Sequence, residues 1–363
     1  MASITPYNTK AGKRWRVQYR DPTGKGRTKQ GFKRKTDAQA WAAKNTTTIN
    51  TGEWIDPTTQ RTTITQLSEL WLQRIAHLKP STHHMHKQAW ENRVQPAWGA
   101  VQVADVKPSM VQNWVNQLDV SPSYVRTCHL VLAQIMDIAV ADGIIKKNPC
   151  RGIKLPRKPV QPVKVYLTYE QLKALADNAK YPELIMLLGT VGLRWGEAAA
   201  LRPMDLDVKR NRIEITRSVT RVGKESVFTG PKTGPRSVAV PPRVMKMLVK
   251  RAANAPVDGL LWTTRKGEAM TAPGHKTWFS GAVDRAQADD KDFPRVSPHG
   301  LRHVAAGLMI QAGANPLLVA RQLGHASTKM TMDTYAHLWE DGLDVMVSSI
   351  GANVVEMSCR DAK

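Results

Sequence analysis

LGHASTKMTMDTYAHLWE, residues 323–340, sets a single tyrosine, Tyr335, between His325 and His337. One helical pattern, PLLVARQLGH, closes at Gly324-His325, and Tyr335 lies ten residues on in a new helical segment. Taken alone, a tyrosine on a helix is a packing residue with an apolar ring and a polar tip. Its hydroxyl becomes a reagent only if the rest of the chain supplies groups that need a nucleophile.

Three upstream blocks bear on that question. VGLRWGE places Arg194 in an otherwise apolar pattern that runs on from PELIMLLGTVGL and reads as helix to Arg202-Pro203. An arginine there needs a partner, and Glu197 at i+3 can supply one, as a structural ion pair or as support for a ligand-binding guanidinium. TGPKTGPRSVAVP puts Lys232 at the tip of a hairpin, where it is either a solvated turn lysine or a group that reaches into a groove. A phosphate-binding loop is excluded, because Pro231 stands where that motif needs glycine. SPHGLRH (297–303) opens a helix on which His299 and Arg302 share a face. His299 and His303 have the zinc-protease spacing, but Gly300 occupies the glutamate position and Arg302 would repel a cation. Two arginines, a lysine, two histidines and a tyrosine, without a carboxylate pair for metal, suit metal-free attack on a phosphodiester.

The composition fits that substrate. The chain has 363 residues, 53 Lys and Arg against 30 Asp and Glu, and a formal net charge of +23. Such an excess repels itself unless a polyanion neutralises it, so nucleic acid is the expected partner. The length implies two or three domains. No apolar run approaches the ~18 residues of a membrane span, and the N-terminus has no secretory pattern. Cys128, Cys150 and Cys359 are too far apart for a disulfide framework or a metal knuckle. A cytoplasmic protein is expected, with no membrane, metal or cofactor.

The expected fold is multidomain α+β. Residues 1–60 read as a small basic sheet with one helix: RWRVQYR (14–20) and TKQGFKRK as strands, then an Ala-rich helix from Thr36-Asp37. Residues 1–40 hold eleven Lys and Arg against two acidic residues, and a β-ribbon of that charge fits a DNA groove. Residues 61–155 read as all-helical, with a second helix starting at Ser81-Thr82 and stopping at Pro96. The His83-His84-x-His86 cluster is read as a solvated or phosphate-facing surface. A basic, proline-bearing linker follows at 152–164. Residues 165–363 read as mixed and mainly helical, with NRIEITRSVT, ESVFTG and PRSVAVP as three strands of a small antiparallel sheet and helix again to about residue 350. The candidate DNA contacts are Arg14, Arg16, Arg20, Lys33, Arg34, Lys35, Lys79, Ser81, Thr82 and Arg126.

In order and spacing, the blocks G-L-R-W-G-E, P-K-T-x-x-R, H-G-L-R-H, L-G-H-A-S and D-T-Y-A-H resemble the tyrosine recombinases, the phage integrase family. The middle region resembles that family's core-site-binding domain more loosely, and the N-terminal unit resembles the arm-site-binding domain carried by some integrases. The resemblance implies that Tyr335 is the nucleophile, giving a 3′-phosphotyrosyl link and a free 5′-hydroxyl. It implies that Arg194 and Arg302 clamp the phosphate, Lys232 is the general acid, His299 the candidate base and His325 a phosphate hydrogen-bond partner. Glu197 supports Arg194, and His337 is expected to face away from the chemistry. The implied partners are double-stranded DNA with core-type and arm-type sites, and a homotetramer acting through a Holliday junction. A host DNA-bending protein and an excision directionality factor are further candidates. The apolar tail VMVSSIGANVV (345–355) packs on its own chain or docks on a neighbouring subunit. Other readings are a recombinase resolving chromosome dimers, or a non-enzymatic DNA-binding regulator; the latter explains the charge but leaves the five blocks unexplained.

Overall fold

A computed structural model describes residues 2–52, 54, 56, 61–157 and 164–339. The tail 345–355 therefore lies outside the described residues. The chain divides into two compact units, 1–160 and 161–363.

The first unit opens with three antiparallel strands in the order β1 (Ser3–Thr9), β2 (Gly12–Arg20), β3 (Gly26–Phe32), followed by helix α1 (Lys35–Asn50). Sequence patterning anticipates β2 and β3 but misses β1, which carries Pro6. An edge strand tolerates proline because its outer N–H groups need no partner. Between Trp15 and Arg16 the β2–β3 register slips by one residue. Gly31 occupies the bulge at φ +103°, a backbone that an L side chain rarely adopts. Val17 and Tyr19 alternate inward as expected, Val17 against Ala38 and Ala42 of α1 and Tyr19 with its ring edge-on to Trp41.

The helical part comprises α2 (Ile64–Arg74), α3 (Pro80–Ala89), a π-helical turn Trp90–Val94, α4 (Gln95–Trp98), α5 (Pro108–Gln117) and α6 (Pro122–Ala141). The expected stop at Pro96 does not occur, and helical structure continues to Trp98. Proline lacks an N–H and its ring collides with the carbonyl four residues back in an α-helix; the wider π-turn just before it relieves that conflict. Trp71, Trp90, Trp98 and the inner face of α6 form this core, and Trp71 Nε1 donates to Gln134 Oε1 at 3.0 Å. Among the described residues α6 is the one helix long and apolar enough to cross a membrane by length and composition, and nine of its residues between Val125 and Ala139 are buried in this core.

The second unit is mainly helical. It carries α7 (Tyr169–Asp177), α8 (Pro182–Val191), α9 (Trp195–Ala198), α10 (Pro242–Ala252), α11 (Trp278–Asp289), α12 (Gly300–Gln311), α13 (Pro316–Leu323) and α14 (Thr328–Tyr335). Two differences from the sequence reading matter. The stretch read as a single strand, NRIEITRSVT, is two: β5 (Arg212–Ile215) pairs with β4 (Leu206–Asp207) and β8 (Arg236–Ala239), while β6 (Ser218–Val222) pairs with β7 (Glu225–Thr229). The break falls where Arg217 turns to donate to the Ala200 carbonyl, with Ile213 and Ile215 in the main core and Val219 in a separate small cluster. The helix expected from Pro182 to Arg202 is also broken, because Gly192 closes α8 at φ +75°. A Cβ there would stand 2.4 Å from Leu323 Cδ2, so both the turn and the close approach of α13 require glycine.

Candidate active site

That break positions Arg194. Released from the helix, Arg194 takes an extended backbone as the N-cap of α9. Glu197 at the third helical position accepts from its backbone N–H at 3.0 Å and from its Nη1 at 3.0 Å. Arg236, on the strand that follows the lysine turn, grips the same carboxylate from the other side through Nη1 and Nη2 at 2.9 and 2.7 Å. Glu197 is 1% exposed. Burial pushes its carboxyl up, but the hydrogen bonds and charges of Arg236 and Arg194 outweigh that and hold it below the usual carboxylate range.

Both phosphate-clamp candidates are anchored on glycine carbonyls at helix ends. Arg194 Nη2 donates to Gly324 O at 2.8 Å, and Arg302 Nη1 to Gly192 O at 2.6 Å. Gly324 has φ +67°, and a Cβ on it would meet the Arg236 guanidinium at 2.6 Å. Arg302 is 5% exposed; burial, then the nearby Arg194, pulls its guanidinium down to about 10, still charged at neutral pH.

Tyr335 ends α14 with its ring packed among Ala306, Ile310, Val319 and Leu323. The sequence gives no sign of what its hydroxyl meets: His303 Nδ1, 2.8 Å away. His325 lies parallel to the tyrosine ring, with centroids 6.5 Å apart and planes at 6°, while its Nδ1 pairs with Thr331 Oγ1 at 2.7 Å. The His299 ring stands edge-on to His303 at 5.7 Å, and no described hydrogen bond joins it to the tyrosine. Lys232 is exposed on the turn before β8, beside Thr233, whose hydroxyl donates to the Gly324 carbonyl that Arg194 also uses. Arg194, Glu197, Arg302, His325, Tyr335 and His299 are thus brought together, with Lys232 on the adjoining turn.

Sequence reasoning passes over three residues of this cluster. Arg236 sits in the P-K-T-x-x-R block but is given no role there. His303 is read only as part of a failed zinc spacing, although its position four after His299 already puts both imidazoles on one helix face. Lys164, at the end of the linker, donates to Thr334 O at 2.6 Å and lies 5.5 Å from the Tyr335 ring centroid. His337 turns instead to Tyr166, with Nε2 and Oη 3.3 Å apart.

Electrostatics hold this centre in one protonation state. Burial pushes the Tyr335 phenol up to about 12, with the nearby Arg302 cation opposing the rise. Burial pulls His303 to about 4, helped by His299, Lys164 and Arg302, and pulls His325 to about 4, helped chiefly by Arg302 and Arg194. Burial, then Arg302, lowers His299 as well. A neutral phenol therefore faces neutral imidazoles, and proton transfer has to accompany bond formation rather than precede it. The linkage follows. Between pH ~6.5 and about 4 the unfolded chain binds more protons than the folded one, so stability falls as pH drops through that window, by at most ~1.4 kcal/mol per pH unit for each histidine. The DNA-free protein is expected to melt several degrees lower at pH 5 than at pH 7, with a His303→Gln/His325→Gln double variant showing a visibly smaller difference. Equal pH dependence of the two proteins in differential scanning fluorimetry would show that these imidazoles are not the cause.

Of the expected DNA contacts, Arg14, Arg16 and Arg20 lie on β2, where Arg16 Nε donates to Thr5 Oγ1 and Arg20 Nη1 to Gly24 O. Lys33, Arg34 and Lys35 are exposed at the start of α1, and Lys79 and Ser81 are exposed around the first turn of α3. Thr82 is half-buried on α3. Arg126 is already engaged, donating to Pro156 O at 2.8 Å. In the histidine cluster His86 faces inward at 6% exposure, so that cluster is not a single surface.

The Phage integrase family profile matches residues 165–341, and the phage integrase N-terminal SAM-like domain matches residues 63–118. The chain belongs to the phage integrase family. It is a tyrosine site-specific recombinase, an enzyme that breaks and rejoins DNA strands. The integrase of Mycobacterium phage FRAT1 is 28% identical over 315 residues, covering 82% of this chain and 92% of that protein. Among solved structures, the Tn1549 transposon integrase in complex with a circular intermediate DNA superposes with TM-score 0.67 at 23% identity, covering 79% of this chain and 99% of that one. A lambda integrase tetramer bound to a Holliday junction superposes at 0.52 with 15% identity, covering 89% and 96%. These structural likenesses establish the shared tyrosine-recombinase fold.

Proposed function

We propose that this chain integrates, and also excises, a phage or other mobile element, and that the residues gathered around Tyr335 carry the chemistry. The carrying observation is a buried phenol hydrogen-bonded to an imidazole beside two arginines anchored on the Gly192 and Gly324 carbonyls. In this reading Arg194 and Arg302 hold the non-bridging oxygens of a scissile phosphate, where guanidinium groups stabilise the charge that builds during displacement. Tyr335 Oη attacks phosphorus, and the 5′ oxygen leaves with a proton from Lys232, which the exposed turn leaves free to swing in. His299, close to both arginines, and His325, stacked beside the tyrosine, serve at the same phosphate. Glu197 fixes Arg194. The phosphotyrosyl bond conserves the energy of the broken diester, so a 5′-hydroxyl from a partner duplex can reverse the reaction without a cofactor. Two such exchanges pass through a Holliday junction.

The proposed division of labour is arm-type DNA binding by 1–60, core-site binding by 61–155 and catalysis by 165–363. The charge of the first strands and the SAM-like match at 63–118 support it. A homotetramer on DNA is the proposed assembly, with the lambda integrase structure as its precedent. A DNA-bending host protein and a directionality factor belong to the same proposal.

A suicide substrate, nicked close to the cleavage site so that the released strand diffuses away, tests the reading. A covalent protein–DNA adduct is expected whose DNA-bearing peptide contains Tyr335. An adduct on any other side chain, or none from protein that binds the DNA, removes it.

A further inference from the structure

We propose that His303 is a further catalytic residue of this reaction: its Nδ1 takes the Tyr335 phenol proton as Oη attacks phosphorus. The proposal deepens the reading above and rests on Tyr335 being the nucleophile.

Geometry carries the assignment. Three imidazoles stand near the phenol, and their bonding separates them. His303 Nδ1 is 2.8 Å from Tyr335 Oη, within hydrogen-bond reach of the proton to be moved. His325 presents its ring face to the tyrosine ring, and its Nδ1 is occupied by Thr331 Oγ1. No described hydrogen bond joins either nitrogen of that imidazole to the phenol. His299 is one helical turn before His303 on α12, and its described ring contact is with His303 itself, at 5.7 Å.

The first turn of α12 therefore divides its work. Arg302 is anchored on Gly192 O, while His303, next in sequence, meets α14. The charged and titratable groups acting on His303 are His299 and Arg302 from its own helix, Lys164 from the end of the linker, and Tyr335. Burial and the cations among these groups keep its imidazole neutral, with Nδ1 free to accept when Nε2 carries the ring hydrogen. The same cations disfavour imidazolium until a phosphate anion arrives beside Arg302. The phenol would then be activated only once substrate is bound.

The step balances. The Oη–H bond breaks and its proton passes to Nδ1, the P–Oη bond forms, and the P–O5′ bond breaks with Lys232 supplying the proton to the 5′ oxygen. In rejoining, the imidazolium returns its proton to the departing tyrosine oxygen, as microscopic reversibility requires. A competing account of the same contact is a parked phenol, held out of line until released.

Single-turnover cleavage of the suicide substrate by full-length protein distinguishes these accounts. His303→Ala and His303→Gln are compared with the unaltered protein, each carrying either tyrosine or 2,3,5-trifluorotyrosine at position 335, which makes the phenol more acidic. The expected result is DNA binding unchanged, cleavage slowed ~10²-fold or more by either His303 variant, and at least about tenfold recovery with the fluorinated residue. A 5′-phosphorothiolate substrate, whose sulfur needs no general acid, is expected not to rescue His303→Ala but to rescue Lys232→Ala. Cleavage at or above the unaltered rate in the His303 variants overturns the proposal in favour of parking. Slowed cleavage indifferent to phenol acidity overturns it in favour of a packing role. If the His303 variants do not fold, the unaltered protein still decides: a steep dependence of its rate on phenol acidity means that no base assists and ends the proposal, while a shallow one supports it. An adduct mapped away from Tyr335 removes the underlying reading instead, an outcome none of these results resembles.

Discussion

Tyr335→Phe is expected to bind its DNA site and to form no covalent adduct. The substitution removes one oxygen from a ring that is 1% exposed among Ala306, Ile310, Val319 and Leu323. The packing stays, so the fold and the DNA-binding surfaces stay with it. What goes is the only atom of that side chain able to bond phosphorus, so the loss should be complete to the limit of detection rather than partial. The variant also strands His303 Nδ1, whose described hydrogen bond is to the phenol. An unpaired nitrogen in this half-buried position costs roughly 1 kcal/mol, offset in part by the more apolar ring. Gel-shift and denaturing-gel assays on one nicked substrate read both halves of the expectation. An adduct formed by the phenylalanine protein at any measurable rate would assign the nucleophile elsewhere.

The largest stability effect is expected from Glu197→Ala, on the order of 3 kcal/mol from the catalytic unit. One carboxylate at 1% exposure is shared between two guanidiniums and accepts four hydrogen bonds, from Arg194 N and Nη1 and from Arg236 Nη1 and Nη2. Removing it leaves two like charges facing each other around a cavity, with Arg236 Nε already buried and unpaired. The arginine side chains are 26% and 12% exposed, so solvent relieves part of the cost and the lower end of the range for a broken buried pair applies. The carboxyl of Glu197 is held below its ordinary range, so its contribution is fully present above that range and is lost as pH falls through the folded value. Urea unfolding at pH 7 measures the difference. A loss under about 1 kcal/mol would show that the arginines turn out to solvent and that the triad is not what holds α9 to β8. Cleavage should fall as well, since Arg194 would lose the partner that fixes its guanidinium.

Much of this site is legible in the sequence because its signals are local. An Arg at i and Glu at i+3, a Pro-marked helix start before H-G-L-R-H and a Gly-His helix stop each follow from one or two turns of chain. Those rules bring out Arg194, Glu197, His299, Arg302, His325 and Tyr335 as candidates. Where local rules compete with packing, they misplace elements. Pro96 reads as a stop, but a π-turn carries the chain past it; NRIEITRSVT reads as one strand, but Arg217 and two separate cores divide it. The helix expected through Arg194 ends at Gly192 because α13 presses Leu323 against that point, a contact between residues 131 positions apart.

Already legible without coordinates are the charge excess that calls for a polyanionic partner, the cationic and imidazole groups gathered in the last region, and Tyr335 as the candidate nucleophile. Charge excess, motif order and helix punctuation are written residue by residue and need no coordinates. Packing alone sets which imidazole meets the phenol, the sharing of Glu197 between Arg236 and Arg194, and the reach of Lys164 from the linker to the end of the tyrosine helix. Those three contacts span 32, 39 and 170 positions of sequence. Such pairings are set by how helices and strands pack, and no local periodicity carries that information.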